Sequence, residues 1–298
     1  EQADTGRLPG FAPCRLSTTF PVDDGVEGFE PALEALCDRA EEAVRAGRGL
    51  LVLSDRDAGP SRAPLPTLLA TAAVHHRLIR TGLRLEATLV CDAGSPRQDH
   101  DFACLLGYGA TLVHPRLAWE SVCDVARDPE RGEPVDEREA LVSYRAAIEE
   151  GLLKILAKMG ISTLSSYRGA QIFETIGLSD ELVERYFPGT PCRLGGVGLR
   201  KLARDVLRFH DEALAGDEEL PERGIYRYRR DGEFHAFNPT AFTSLHRAVR
   251  SEDPEAFRAY ADAISDRPPC TVRDLLTLAS DDEPLPLKEV EPAEAIVQ

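Results

Sequence analysis

The chain is short of lysine, of cations in general, and of long apolar runs. Four lysines (Lys154, Lys158, Lys201 and Lys288) stand beside 31 arginines, a bias that reflects genome composition. Together these 35 cations face 51 Asp and Glu, giving a net charge of −16 and a pI near 4.9. Nucleic-acid affinity comes largely from cations that neutralise phosphates. The balance therefore excludes DNA and RNA as partners, and it disfavours docking on an anionic membrane. The longest apolar stretches are the size of Leu50-Leu51-Val52-Leu53, well below the roughly 18 residues of a spanning helix. The first 20 residues carry no apolar segment of signal-peptide type. The only methionine is Met159, so position 1 reads as a cut inside a longer chain or a processed end. The seven cysteines (Cys14, Cys37, Cys91, Cys104, Cys123, Cys192 and Cys270) show no CxxC pair and no zinc or iron–sulfur spacing. They read as reduced, small core residues of a cytoplasmic protein. No internal repeat of fixed period is evident.

What is present is ordinary globular composition: 298 residues, 43% hydrophobic and 29% charged. That length allows one large domain or two small ones. Residues 1–15 read as an irregular lead-in, and Leu16 to Val22 as a short strand-like run. Phe29, Leu33, Leu36, Cys37, Ala40 and Val44 recur at helical spacing. Leu50–Leu53 is a continuous apolar strand, Pro66–Thr81 a helix, and Leu85–Val90 a second strand. A helix opening at Ser95-Pro96 runs to Gly107, and Ala110–Val113 is a third strand. This β-α-β-α-β alternation predicts a parallel sheet with covering helices, as a (β/α) barrel or an open doubly wound sheet. Further on, Glu139–Lys158 is a long amphipathic helix with Leu141, Ile148, Leu152, Ile155 and Leu156 on its stripe. Ile161–Ser166 reads as another strand and Gln171–Phe173 as part of a helix. Helices follow Ser179 and Gly198. The expected division is an α/β domain over 16–215 and a helical and hairpin extension with a proline-rich linker over 216–298. Asp231-Gly232, flanked by Tyr226, Tyr228, Phe234 and Phe237, supplies the hairpin chemistry.

Candidate chemistry is sparse. Asp99-His100-Asp101 and His75-His76 contain metal-ligand residue types, but consecutive positions on a helix point in different directions and cannot converge on one ion. His114 follows a strand end, where α/β enzymes keep their chemistry. Gly195, Gly196 and Gly198 precede a helix, and such a turn can aim backbone N–H groups at an anion, with Arg200 and Lys201 adding charge. The sequence there is neither GxGxxG nor a Walker A pattern. The cluster Ser165, Ser166, Tyr167, Arg168 and Gln171 reads either as a helix start or as a domain-contact or anion site. No nucleophile elbow and no Ser/His/Asp order is found. No catalytic, cofactor or metal residue is assigned.

Two stretches carry a resemblance. One is Lys154 to Glu174, reading KILAKMGISTLSSYRGAQIFE. The other is Val74 to Arg80 (VHHRLIR) with Leu106 to Ala110 (LGYGA) downstream. Together with Leu53-Ser54-Asp55-Arg56 and Phe237-Asn238-Pro239, and in order along residues 16–298, they resemble the central domain of the glutamate synthase large (α) subunit. The resemblance implies a rudimentary (β/α) barrel related to FMN-linked barrels. It implies a structural and coupling role between an amidotransferase domain and an FMN domain, with no cofactor in this chain. FMN and an iron–sulfur cluster are expected downstream. Position 1 is Glu rather than the nucleophilic Cys that such an amidotransferase needs. Implied partners are those two domains and, through the whole enzyme, a small electron-transfer subunit or ferredoxin. Two other readings stay open: a free-standing phosphate- or flavin-binding (β/α) barrel, and a subunit-interaction module.

Overall fold

A computed structural model describes residues 12–131, 133–216, 223–279 and 283–297. The chain divides into two compact units, residues 1–216 and 217–298.

The first unit is built on β1 (Pro13–Ser17), β3 (Leu50–Ser54), β5 (Thr88–Ala93) and β6 (Leu112–Pro115), all parallel and in the order β1-β3-β5-β6. A short antiparallel pair joins β2 (Thr19–Pro21) to β4 (Arg62–Pro64). The helices α1 (Gly25–Arg45), α2 (Thr67–Arg80) and α3 (Asp99–Gly107) connect the parallel strands. Each strand pairs with the next parallel strand in the chain. Right-handed crossovers then lay all three helices on one face of the sheet.

Strand alternation shows which face that is. Cys14, Leu16, Leu51, Leu53, Leu89 and Cys91 are buried and stand side by side in the register. All but Cys91 meet Phe29, Leu33, Leu36, Cys37, Ala40 and Val44 of α1, and Leu69, Ala73 and Leu78 of α2, in one continuous core, while Cys91 packs with Leu105 and Ala110. The helical spacing read along α1 is the spacing that packs. On the other face Leu50, Val52 and Val90 are only half-buried.

Beyond the sheet, α4 (Arg116–Arg127) and α5 (Glu137–Met159) follow. Asp136 caps α5 by accepting from the Glu139 N–H, and Gly160 at φ 70° ends it in the left-handed conformation that favours glycine. Only Leu156 of the α5 stripe is fully buried; Leu141, Ile148, Leu152 and Ile155 are half-covered. Next come the single turn α6 (Leu164–Tyr167), β7 (Thr175–Leu178), α7 (Asp180–Tyr186), β8 (Cys192–Val197) and α8 (Leu199–Leu214). Strands β7 and β8 form a separate parallel pair with irregular register.

The second unit holds α9 (Pro239–Ser251), α10 (Pro254–Ser265) and the short α11 (Ala293–Ile296). Asn238 and Asp253 cap the first two, each with proline in the first turn.

Several sequence expectations are corrected. Residues 1–11 of the lead-in lie outside the described residues, and Pro13–Arg15 already belong to β1. The second and third strands sit two to three residues later than read, at Thr88–Ala93 and Leu112–Pro115. Helix α3 starts at Asp99 rather than Ser95. The Asp101 carboxylate folds back to accept from the Arg97 and Gln98 N–H groups, while Ser95 Oγ lies 2.7 Å from Thr67 Oγ1. Ile161–Ser166 is not a strand, because Thr163 caps a turn of helix there. Gln171–Phe173 is irregular rather than helical. No hairpin forms around Asp231-Gly232; among the described residues that segment is turns and bends without strand pairing. Among the described residues no helix is long and apolar enough to cross a membrane.

Candidate functional site at the carboxyl edge of the sheet

The carboxyl ends of the parallel strands gather a largely buried polar network in the first unit. Ser54 pairs with Asp92 in the β3–β5 register, and Asp92 with His114 in the β5–β6 register. With Ser17 opposite Ser54, the four residues form one row across all four strands. Because alternation places Leu53 and Cys91 on the helix-covered face, this row lies on the half-covered face.

Asp92 is the hub. Its Oδ2 accepts from Ser54 Oγ at 2.9 Å and from Arg56 Nε at 2.6 Å. Its Oδ1 accepts from His114 Nδ1 at 2.7 Å and from Arg56 Nη2 at 3.2 Å. Burial pushes the Asp92 pKa up, but the donors Arg56, His114 and Ser54 outweigh it and bring it down to about 2. Asp55, also buried, accepts from the Gly94 N–H at 2.8 Å and from Arg116 Nη2 at 2.9 Å. The His114 ring packs edge-on against Trp119, with centroids 4.8 Å apart.

This arrangement limits the chemistry. A carboxylate with four donors and a pKa near 2 is a poor proton acceptor at neutral pH. Ser54 donates to Asp92 rather than to His114, so no activated hydroxyl is formed. His114 spends its Nδ1 proton on Asp92, which leaves Nε2 as its second nitrogen. Among the described residues no group of three or more His, Cys, Asp or Glu could hold a metal ion.

The residues singled out from the sequence lie elsewhere. Ser165 and Ser166 are exposed on α6, where Thr163 Oγ1 accepts from the Ser166 N–H and lies 3.1 Å from Ser165 Oγ. They do not sit at a strand end. Tyr167 is buried against Ala103, Leu106 and Leu156, and its hydroxyl has no hydrogen-bond partner. Arg168 is half-buried. Gln171 is exposed and holds φ at 54° in the left-handed region. Gly195 and Gly196 are within β8, not in a turn before a helix. A Cβ on Gly196 would stand 2.2 Å from the Gly177 carbonyl oxygen, so the glycine permits close approach of β8 to β7. Arg200 pairs with Glu27, and Lys201 with Asp205. Among the described residues no hydrogen bond or ion pair joins the 165–171 group to Gly195 and Gly196. His114 was the one strand-end residue picked from the sequence. Asp92, Asp55, Arg56 and Arg116 were missed, although the first three directly follow or end the apolar runs.

Residues 3–179 match the family model described as the glutamate synthase central domain. The chain is 40% identical over 296 residues to the ferredoxin-dependent glutamate synthase of Pyropia yezoensis, covering 95% of this chain and 19% of that protein. It is 43% identical over 299 residues to ferredoxin-dependent glutamate synthase 1 of Arabidopsis thaliana, covering 96% and 18%. It is 40% identical over 290 residues to the glutamate synthase [NADPH] large chain of Azospirillum brasilense, covering 96% and 19%. The chain thus spans about a fifth of the length of these curated relatives.

Proposed function

The chain belongs to the glutamate synthase central-domain family, and from that premise we propose that it is the joining and coupling part of a glutamate synthase. In this reading it connects the amidotransferase and FMN domains of an enzyme that converts glutamine, 2-oxoglutarate and reductant to two glutamates. The chain itself holds no cofactor and performs no chemistry; FMN and the iron–sulfur cluster belong to the neighbouring domain. The enzyme is cytoplasmic and draws electrons from a small subunit or ferredoxin.

The observation that carries this reading is the closed strand-end network. A parallel sheet whose strands run in chain order with helices on one face has the strand order of half a (β/α)8 ring, which supports this reading. In such rings the carboxyl ends of the strands carry the active site. Here that edge is occupied by Ser54, Arg56 and His114, all donating to the Asp92 carboxylate. The fold therefore reads as a rudimentary barrel whose strand ends brace the protein rather than react. Ser165, Ser166, Arg168 and Gln171 supply surface for a domain contact, with the buried Tyr167 anchoring their segment to the core, and Gly195 and Gly196 shape a separate one.

Two measurements test this. The purified chain is colourless and neither hydrolyses glutamine nor forms glutamate; a flavin absorption band overturns the reading. In the full-length enzyme, Arg168→Ala raises glutamine hydrolysis relative to glutamate formation while leaving each half-reaction intact. Unchanged stoichiometry contradicts a coupling role for that segment.

A further inference from the structure

We infer that a cleft in the first unit, between the second half of α2 and the 169–173 and 188–190 segments, binds a small planar carboxylate. Its volume is about 320 Å³, and His75, His76, Tyr108, Gln171, Phe173 and Thr190 line it. That is the small end of the range for ligand pockets.

Charge is the first argument. Arg84 uses three donors beside this cleft, all on neutral acceptors: His75 Nδ1 at 2.8 Å, the Ala87 carbonyl at 2.5 Å and the Gly109 carbonyl at 2.8 Å. Arg168 adjoins Gly169 of the cleft wall and has no side-chain hydrogen bond or ion pair among the described residues. Its Nε is buried without an acceptor. Burial and the nearby Arg168 together push the Arg84 pKa down. Arg80 acts on His76 in the same sense. Buried or half-buried charges are normally paired. Here the charged groups acting on Arg84 and the two histidines are all cationic. An anion in the cleft supplies the missing counter-charge.

Donors and shape are the second argument. Because His75 Nδ1 accepts from Arg84, the ring proton resides on Nε2. His76 and Gln171 line the cleft with no hydrogen-bond partner of their own among the described residues. Gln171 is held in the left-handed region at φ 54°, a conformation that costs energy in a residue other than glycine. Tyr108 stacks on Phe173 with centroids 5.4 Å apart and planes at 28°, and its hydroxyl lies 2.6 Å from Thr190 Oγ1. These rings give the cleft a flat apolar wall, which suits a planar body, while the N–H donors suit its carboxylate.

The test is titration of the full chain with benzoate and with benzamide, its neutral isostere, following imidazole NMR signals and the thermal midpoint. Benzoate shifts the His75 and His76 resonances saturably and raises the midpoint, and benzamide binds at least about tenfold more weakly. Gln171→Ala and His76→Phe each weaken benzoate several-fold with unchanged circular dichroism. Arg168→Met removes the preference for benzoate, and Arg168→Lys keeps it. Equal binding of the two probes, an equal response to inorganic phosphate, or no saturation by about 10 mM overturns the assignment.

Discussion

Arg84 Nε donates to His75 Nδ1 at 2.8 Å, a hydrogen bond that exists only while the imidazole is neutral. Burial, then Arg84, His76 and Arg168, hold the His75 pKa down at about 3, and burial with Arg80 holds His76 down at about 4. Both folded values lie below the ordinary 6.5. The stability linked to them is full above pH 6.5 and is lost as pH falls towards the folded values. Urea melts of the chain between pH 7 and pH 4 should show this decline, on the order of a few kcal/mol. His75→Phe should flatten it; an unchanged slope would remove His75 as its source.

Asp92 titrates in a lower window. Its pKa of about 2 lies below the ordinary 3.8, so its contribution is complete above 3.8 and disappears as pH falls through the folded value. Asp92→Asn replaces an acceptor for four donors by a group that must itself donate. Arg56 is half exposed, with 47% of its side chain accessible, and water takes over part of its interaction. The expected loss is about 1–3 kcal/mol, and Ser54→Ala should cost less. Denaturant midpoints at pH 7 measure both.

Two glycines separate conformational from steric cost. At Gly160 the backbone is left-handed at φ 70° and an added Cβ meets nothing. Gly160→Ala should cost about 1 kcal/mol. At Gly109, φ is 113° and the Cβ would stand 2.4 Å from the His75 ring. Gly109→Ala should cost clearly more and disturb the His75 NMR signals. Equal midpoints for the two variants would show that the ring moves aside freely.

Leu51 is fully buried between β1 and β5, whereas Leu153 on α5 is 67% exposed. Leu51→Ala should lose about 2–5 kcal/mol, and Leu153→Ala should stay within about 0.5 kcal/mol. Thermal unfolding of the two variants compares them directly.

The helix-covered half of the sheet was legible because its signals are local. The stripe on α1 and the run Leu50–Leu53 each specify a buried face by spacing alone. Ile161–Ser166 misled because the β-branched Ile161 and Thr163 favour extended structure, while Thr163 with the following serines also spells a capped turn; the capping hydrogen bond prevailed. Gly195 and Gly196 looked like a turn because glycine breaks most patterns. Their role depends on Gly177, 19 residues upstream of Gly196, and no local window contains it. The Asp92 network was hidden for the same reason. Ser54, Asp92 and His114 are 38 and 22 residues apart, and only strand pairing aligns them.

That alignment has a consequence for how the chain finds its fold. Apolar parallel strands such as Leu50–Ser54 and Thr88–Ala93 can slide past one another with little change in buried oil. A slip of one residue turns every side chain to the opposite face. Asp92 would then point toward Leu53 and the helices, away from Arg56 and His114, as an unpaired ion in apolar surroundings. The row from Ser17 to His114 thus penalises a sheet mis-threaded by one residue with a stranded charge, an alignment that greasy strands alone would tolerate.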